Sequence, residues 1–147
     1  MAALTAALLL PGFASADERD DKMSALCESG NSTACYEAGE KFRTVERDLK
    51  TALTFFKKSC EKGHIDGCNS AGALVQNTGQ PNSEEWKEAA KMFEKACEQK
   101  HDKACFNLGL LKYREGRSKK AVEYFKIACD LDKTNRAACD NLKRLSD

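Results

Sequence analysis

The chain has only two prolines in 147 residues, and neither falls inside a helical pattern, so little in the composition interrupts runs of helix. It has no excess of one charge, with 24 Lys and Arg against 23 Asp and Glu. That balance leaves no electrostatic footprint for nucleic acid or an anionic membrane. No apolar run reaches the ~20 residues of a membrane span. No two cysteines stand in the C-x2-C spacing that brings zinc ligands onto one knuckle. S-D-N and K-T-G elements are missing as well, which bears on any serine-based hydrolysis.

What is present begins with an apolar stretch, Ala2 to Leu10, followed by Pro11, Gly12 and Ala14-Ser15-Ala16. An apolar core of this length before an A-x-A site reads as a signal peptide over residues 1–16, leaving Asp17 first in a mature chain of residues 17–147. No Lys or Arg precedes the apolar run, so a start upstream of Met1 is expected, and a mitochondrial transit peptide is disfavoured. Export to the periplasm or beyond follows.

The rest of the chain repeats itself. Ala52, Phe56, Ser59 and Cys60 recur as Ala89, Phe93, Ala96 and Cys97, then as Ala121, Phe125, Ala128 and Cys129. Cys35, Cys68 and Cys105 are each followed four residues later by Gly39, Gly72 and Gly109. Self-similarity at a period of roughly 32–37 residues marks a helical solenoid. A charged fraction of 32% suits thin two-layer repeats in which every helix keeps a wet face. The fourth cysteine-bearing helix has Lys143 where the others have glycine and reads as a polar capping helix.

Eight cysteines admit roughly a hundred pairings, but the repeat narrows them to Cys27–Cys35, Cys60–Cys68, Cys97–Cys105 and Cys129–Cys139. Each pair joins the last turn of one helix to the first turn of the next, positions that an antiparallel hairpin brings within disulfide reach. His64 and His101 each lie four residues after a cysteine, where the other repeats have Asn31 and Lys133. They read as turn residues rather than metal ligands, and no metal or cofactor is expected.

Hydrophobic periodicity and capping signals predict a helix ending at Glu28 and another through Cys35 to Phe42, capped by Ser32 or Thr33. Helices over Leu49 to Glu61 and through Cys68 to Val75 follow, the latter opened by Asp66 or Gly67. Gln76 to Asn82 is a loop, and Ser83 caps the helix bearing Trp86 and Cys97. Helices over Lys103 to Arg114, Ser118 to Leu131 and Asn135 to Leu145 complete the chain. The fold class is all-α, a right-handed α/α solenoid of tetratricopeptide-like hairpins.

With C-x2-[LA]-G and A-x3-F-x3-C in hand, the chain resembles Sel-1-like repeat (SLR) proteins, and more narrowly the Helicobacter cysteine-rich protein family. The resemblance covers Asp20 to the C-terminus, about three and a half repeats. Cys97-E-Q-K-H-D-K-A-Cys105-F-N-L-G is the closest match. Lys112, where the repeat usually has an aromatic, and the ten-residue step from Cys129 to Cys139 are departures from it. The resemblance implies a scaffold that binds peptides or proteins in a concave groove, or alternatively weak β-lactam binding and hydrolysis.

The only literal S-x-x-K is Ser59-Cys60-Glu61-Lys62, and Ser59 aligns with Ala96 and Ala128, so it reads as a chance match and no catalytic residue is assigned. Positions one, five, eight and nine after each helix's cysteine are expected to face the groove: Tyr36, Glu40 and Arg43; Asn69 and Gln76; Phe106, Tyr113 and Arg114. Asn107 joins them through the resemblance. The alternative for Phe106 is packing on a neighbouring helix, and for the polar residues a merely solvated face. The expected protein is a monomeric exported scaffold for a peptide, an envelope protein or a cell-wall fragment. A structural adaptor in an envelope complex is the remaining possibility.

Overall fold

A computed structural model describes residues 16–146. The expected leader, residues 1–16, lies outside them but for Ala16. The described chain is eight helices: α1 (Ala16–Glu28), α2 (Ser32–Thr44), α3 (Leu49–Glu61), α4 (Ile65–Thr78), α5 (Glu84–Glu98), α6 (Asp102–Arg114), α7 (Ser118–Leu131) and α8 (Arg136–Ser146). No strand occurs among the described residues. All four expected disulfides are formed, with Cα separations of 4.6, 4.4, 4.7 and 4.9 Å in chain order. Each closes one hairpin: α1/α2, α3/α4, α5/α6 and α7/α8.

One local device makes every hairpin turn. The residue four before each second cysteine caps the incoming helix with its side chain. Asn31 accepts from the Ala34 amide at 3.0 Å, His64 from Gly67 at 3.3 Å, His101 from Ala104 at 3.1 Å and Asn135 from Ala138 at 3.1 Å. Each side-chain acceptor satisfies one orphan amide of a helix start. The expected caps Ser32, Thr33, Asp66 and Gly67 are therefore corrected, because the helices begin one to three residues earlier. The equivalence of the histidines with Lys133 is corrected too. Asn135 takes that place, since the two extra residues of the last turn lie before the cap.

Three residues after the first cysteine, the backbone turns left-handed at Gly30 (φ 105°), Gly63 (φ 90°) and Lys100 (φ 63°). A side chain there costs on the order of 1 kcal/mol that glycine avoids. Lys100→Gly is expected to stabilise the chain by up to ~1 kcal/mol. A raised urea midpoint at unchanged slope would show it.

The hairpins stack through a repeated knob and notch. A Cβ added to Gly39 would lie 2.6 Å from the Phe56 ring, one at Gly72 2.8 Å from Phe93, and one at Gly109 2.7 Å from Phe125. Glycine on α2, α4 and α6 thus lets the phenyl ring of α3, α5 and α7 sit against bare backbone. All three rings are fully buried. Between the second and third hairpins, Trp86, Ala89, Phe93, Leu108 and Leu111 form the largest apolar cluster.

Lys112, the departure from the aromatic pattern, is explained by its neighbours. Its ammonium lies 3.5 Å from Glu115 Oε2, while Trp86 Nε1 donates to Glu115 Oε1 at 3.1 Å. Charge and indole satisfy one another at the buried end of α6. The expected loop over Gln76 to Asn82 starts later, because α4 continues to Thr78 and keeps Val75 and Gln76 buried in the helix.

Candidate binding face

The even-numbered helices stand side by side, and polar side chains join α4 to α6 and α6 to α8. His101 Nε2 meets Asp66 at 2.9 Å, Asn135 donates to Asp102 at 3.0 Å, and Asn107 Nδ2 donates to Asn69 Oδ1 at 3.0 Å. His101 has both ring nitrogens engaged, one capping α6 and the other holding the preceding repeat. Neither histidine role was visible to sequence reasoning, which had only its position in a turn to work with. The matching cap acceptors, read four residues before the second cysteine, were the available signal.

Tyr36 lies on α2 with its ring stacked on His64, centroids 4.7 Å apart. Burial raises its phenol above the usual range, and the nearby Glu40 carboxylate adds to that. Glu40 grips Arg43 one turn on, accepting from its guanidinium at 3.2 and 2.6 Å. This bond holds the guanidinium in its charged form. Tyr36, Glu40, Arg43 and Asn69 line one cleft of about 290 Å³, which Ser70 and Asn77 complete from α4. Sequence reasoning did not select these last two. Asn107 borders the cleft through its bond to Asn69.

The remaining predicted positions lie elsewhere. Phe106 packs tilted on Phe125 with centroids 5.6 Å apart and is half-buried, as its packing alternative had it. Gln76 is buried, and its Nε2 finds no partner among the described residues. Tyr113 and Arg114 are exposed near the end of α6, with the Arg144 guanidinium 5.6 Å from the Tyr113 ring. Among the described residues, no three His, Cys, Asp or Glu side chains gather as a metal site. No described helix is long and apolar enough to cross a membrane.

Ser59 is fully buried, and its hydroxyl donates to the Ser32 carbonyl at 2.8 Å, tying the first hairpin to the second. A buried hydroxyl committed to a backbone acceptor is poorly placed to attack a substrate. It faces Gly67, where an added Cβ would lie 2.5 Å from Ser59 Oγ. The third and fourth hairpins have alanine at both places, Ala96 with Ala104 and Ala128 with Ala138. Gly67→Ala is therefore expected to cost about 1–3 kcal/mol, and roughly 1 kcal/mol less in a chain that also carries Ser59→Ala. Denaturant midpoints of the three variants test the pairing, and equal costs in both backgrounds would refute it.

The Sel1 repeat family matches residues 24–64, 83–101 and 102–133, well over half of the chain. No curated protein matches it significantly. Among solved structures, the c5321 protective antigen of uropathogenic Escherichia coli, which displays an SLR fold, is 28% identical over 86% of this chain with a TM-score of 0.72. This chain spans only 28% of that protein's length. Helicobacter pylori cysteine rich protein B is 23% identical with a TM-score of 0.56, covering 88% of this chain and 98% of its own. The first TPR of Spaghetti (RPAP3), bound to the HSP90 peptide SRMEEVD, is 14% identical with a TM-score of 0.65. It covers 80% of this chain and 92% of its own. The last two likenesses concern the fold alone.

Proposed function

We propose that this chain, which belongs to the Sel1-repeat family, is a scaffold that binds an extended peptide along α2, α4 and α6. The observation that carries the reading is the Asn69–Asn107 pair. The two amides spend one donor and one acceptor on each other. Asn69 keeps its NH₂ and Asn107 its carbonyl oxygen without a described partner, a donor group and an acceptor beside the cleft. An extended peptide offers the complementary carbonyl and amide at every residue. Arg43, already oriented by Glu40, adds a cation for an acidic side chain or a terminal carboxylate. The tetratricopeptide neighbour, solved with a bound peptide, supports the use of such a fold in this way.

Four disulfides and no free cysteine fit an oxidising, extracytoplasmic compartment, and within it we place the chain in the periplasm or outside the cell, as a monomer. A peptide, an envelope protein or a cell-wall fragment bearing peptide bonds would each satisfy the amide pair. A β-lactam activity would need a nucleophile other than Ser59.

Peptide display against the oxidised chain tests the reading. Selected peptides are expected to lose about tenfold in affinity with Asn69→Ala or Asn107→Ala, at unchanged melting temperature. Peptides that bind the double variant as well as the parent would refute it.

A further inference from the structure

The odd-numbered helices also stand side by side, and a groove recurs between neighbours, first between α3 and α5 and then between α5 and α7. Counted from the first cysteine of each hairpin, the leading wall presents the residues three before and one after it. The trailing wall presents the residues five and two before its own cysteine. These positions are Lys57, Glu61, Met92 and Lys95 in the first groove, and Glu94, Glu98, Tyr124 and Ile127 in the second.

The first groove, of about 220 Å³, carries cations of the chain's own. Lys95 Nζ donates to the Cys60 carbonyl at 2.6 Å, and Lys57 pairs with Glu88 at 2.9 Å. In the second groove Ile127 replaces Lys95 and Glu94 replaces Lys57, so both cations are gone and a carboxylate has been gained. The Cys97 carbonyl, equivalent to that of Cys60, accepts the Lys100 amide at 2.8 Å but no ammonium. Glu94 and Glu98 have no cationic partner among the described residues, and the floor is apolar, with Leu108 fully buried beneath. The groove encloses about 250 Å³. The Tyr124 phenol is raised above its usual range by burial, and then by Glu94, Glu123 and Glu98, so the carboxylates set a negative potential where the ring lies.

We propose that the α5/α7 groove receives a lysine side chain from a partner polypeptide. The aliphatic stem lies along Tyr124 and Ile127, above the buried Leu108. The ammonium sits among the Cys97 carbonyl, Glu94 and Glu98, as Lys95 sits on Cys60 within the chain. A long apolar stem ending in a point charge matches a groove with an apolar floor and an acidic rim. The surface belongs to the row of helices opposite the peptide cleft, so both can be occupied at once.

The test is amide NMR of the oxidised chain titrated with an acetylated, amidated Leu-Lys-Leu peptide, beside the same peptide with norleucine for lysine. Saturable shifts confined to residues 94–98, 108 and 124–131 are expected, with the norleucine peptide at least about tenfold weaker. Ile127→Lys, which supplies the internal cation of the other groove, is expected to weaken binding about tenfold as well. Ile127 is 42% exposed, so the variant keeps its fold, and an unchanged melting temperature verifies that. Equal binding of the norleucine peptide, unaltered binding by Ile127→Lys, shifts scattered over the surface, or no saturation at millimolar peptide would each overturn the assignment.

Discussion

Reducing all four disulfides without denaturant is expected to remove the cooperative thermal transition of this protein altogether. Each bond closes a loop of about ten residues, and loop-closure entropy assigns such a loop about 2.5 kcal/mol. Four independent loops total about 10 kcal/mol, which is of the order of the entire stability of a domain this size. The apolar core cannot absorb that loss. Its layers are two helices thick, and apart from Trp86, the three phenylalanines, Leu108 and Leu111 its fully buried side chains are small. Helical circular dichroism followed against temperature, with and without a phosphine reductant, gives the result directly. Replacing one pair, Cys97→Ser with Cys105→Ser, should cost about 2–4 kcal/mol and leave a folded protein. A fully reduced chain that melts within a few degrees of the oxidised one would show that packing alone holds the solenoid.

Phe93→Ala is expected to be the most damaging single substitution, at about 3–5 kcal/mol. The ring is fully buried and rests on the bare backbone of Gly72, so its removal opens a cavity between the second and third hairpins that rigid helices cannot close. The position matters as much as the volume. In a linear array each hairpin touches only its neighbours, so a defect at the central junction uncouples the two ends. Phe93→Ala should lower the denaturant slope as well as the midpoint, whereas Phe125→Ala, nearer one end, should mainly lower the midpoint. Adding Gly72→Ala to Phe93→Ala tests the notch. The new methyl group costs about 1–3 kcal/mol against the ring but partly fills the cavity without it, so the pair should be clearly less than additive. Strict additivity would mean that ring and glycine do not act as one contact.

The same repeating pattern explains what the sequence made legible. Phenylalanine four residues before a cysteine, and glycine four after the preceding one, are the two halves of one inter-hairpin contact. Reading either therefore predicts the stacking, and with it the disulfides and most helix bounds. The caps were harder, because histidine is an unusual cap acceptor and the longer last turn shifts Asn135 out of register when first cysteines are aligned. Among the positions that line the α2/α4 cleft, counting from the cysteine picked out Tyr36, Glu40, Arg43 and Asn69. It could not separate a groove residue from one that leans on the next helix, as Phe106 does, or from one drawn inside, as Gln76 is. That choice depends on the angle between neighbouring hairpins, which periodicity does not encode. The α5/α7 groove escaped because its meaning lies in a difference between repeats, Lys95 against Ile127, rather than in their likeness.

Every covalent cross-link lies within a hairpin, and none joins one hairpin to the next. A protease that cuts the exposed turns at residues 28–30, 61–63 or 98–100 therefore severs nothing, because the halves stay bridged by sulfur. The vulnerable peptide bonds are those between hairpins, near residues 45–48, 80–82 and 115–117. Digestion there would release whole cross-linked hairpins rather than short peptides, leaving fragments that retain their own turns and can still be recognised as units.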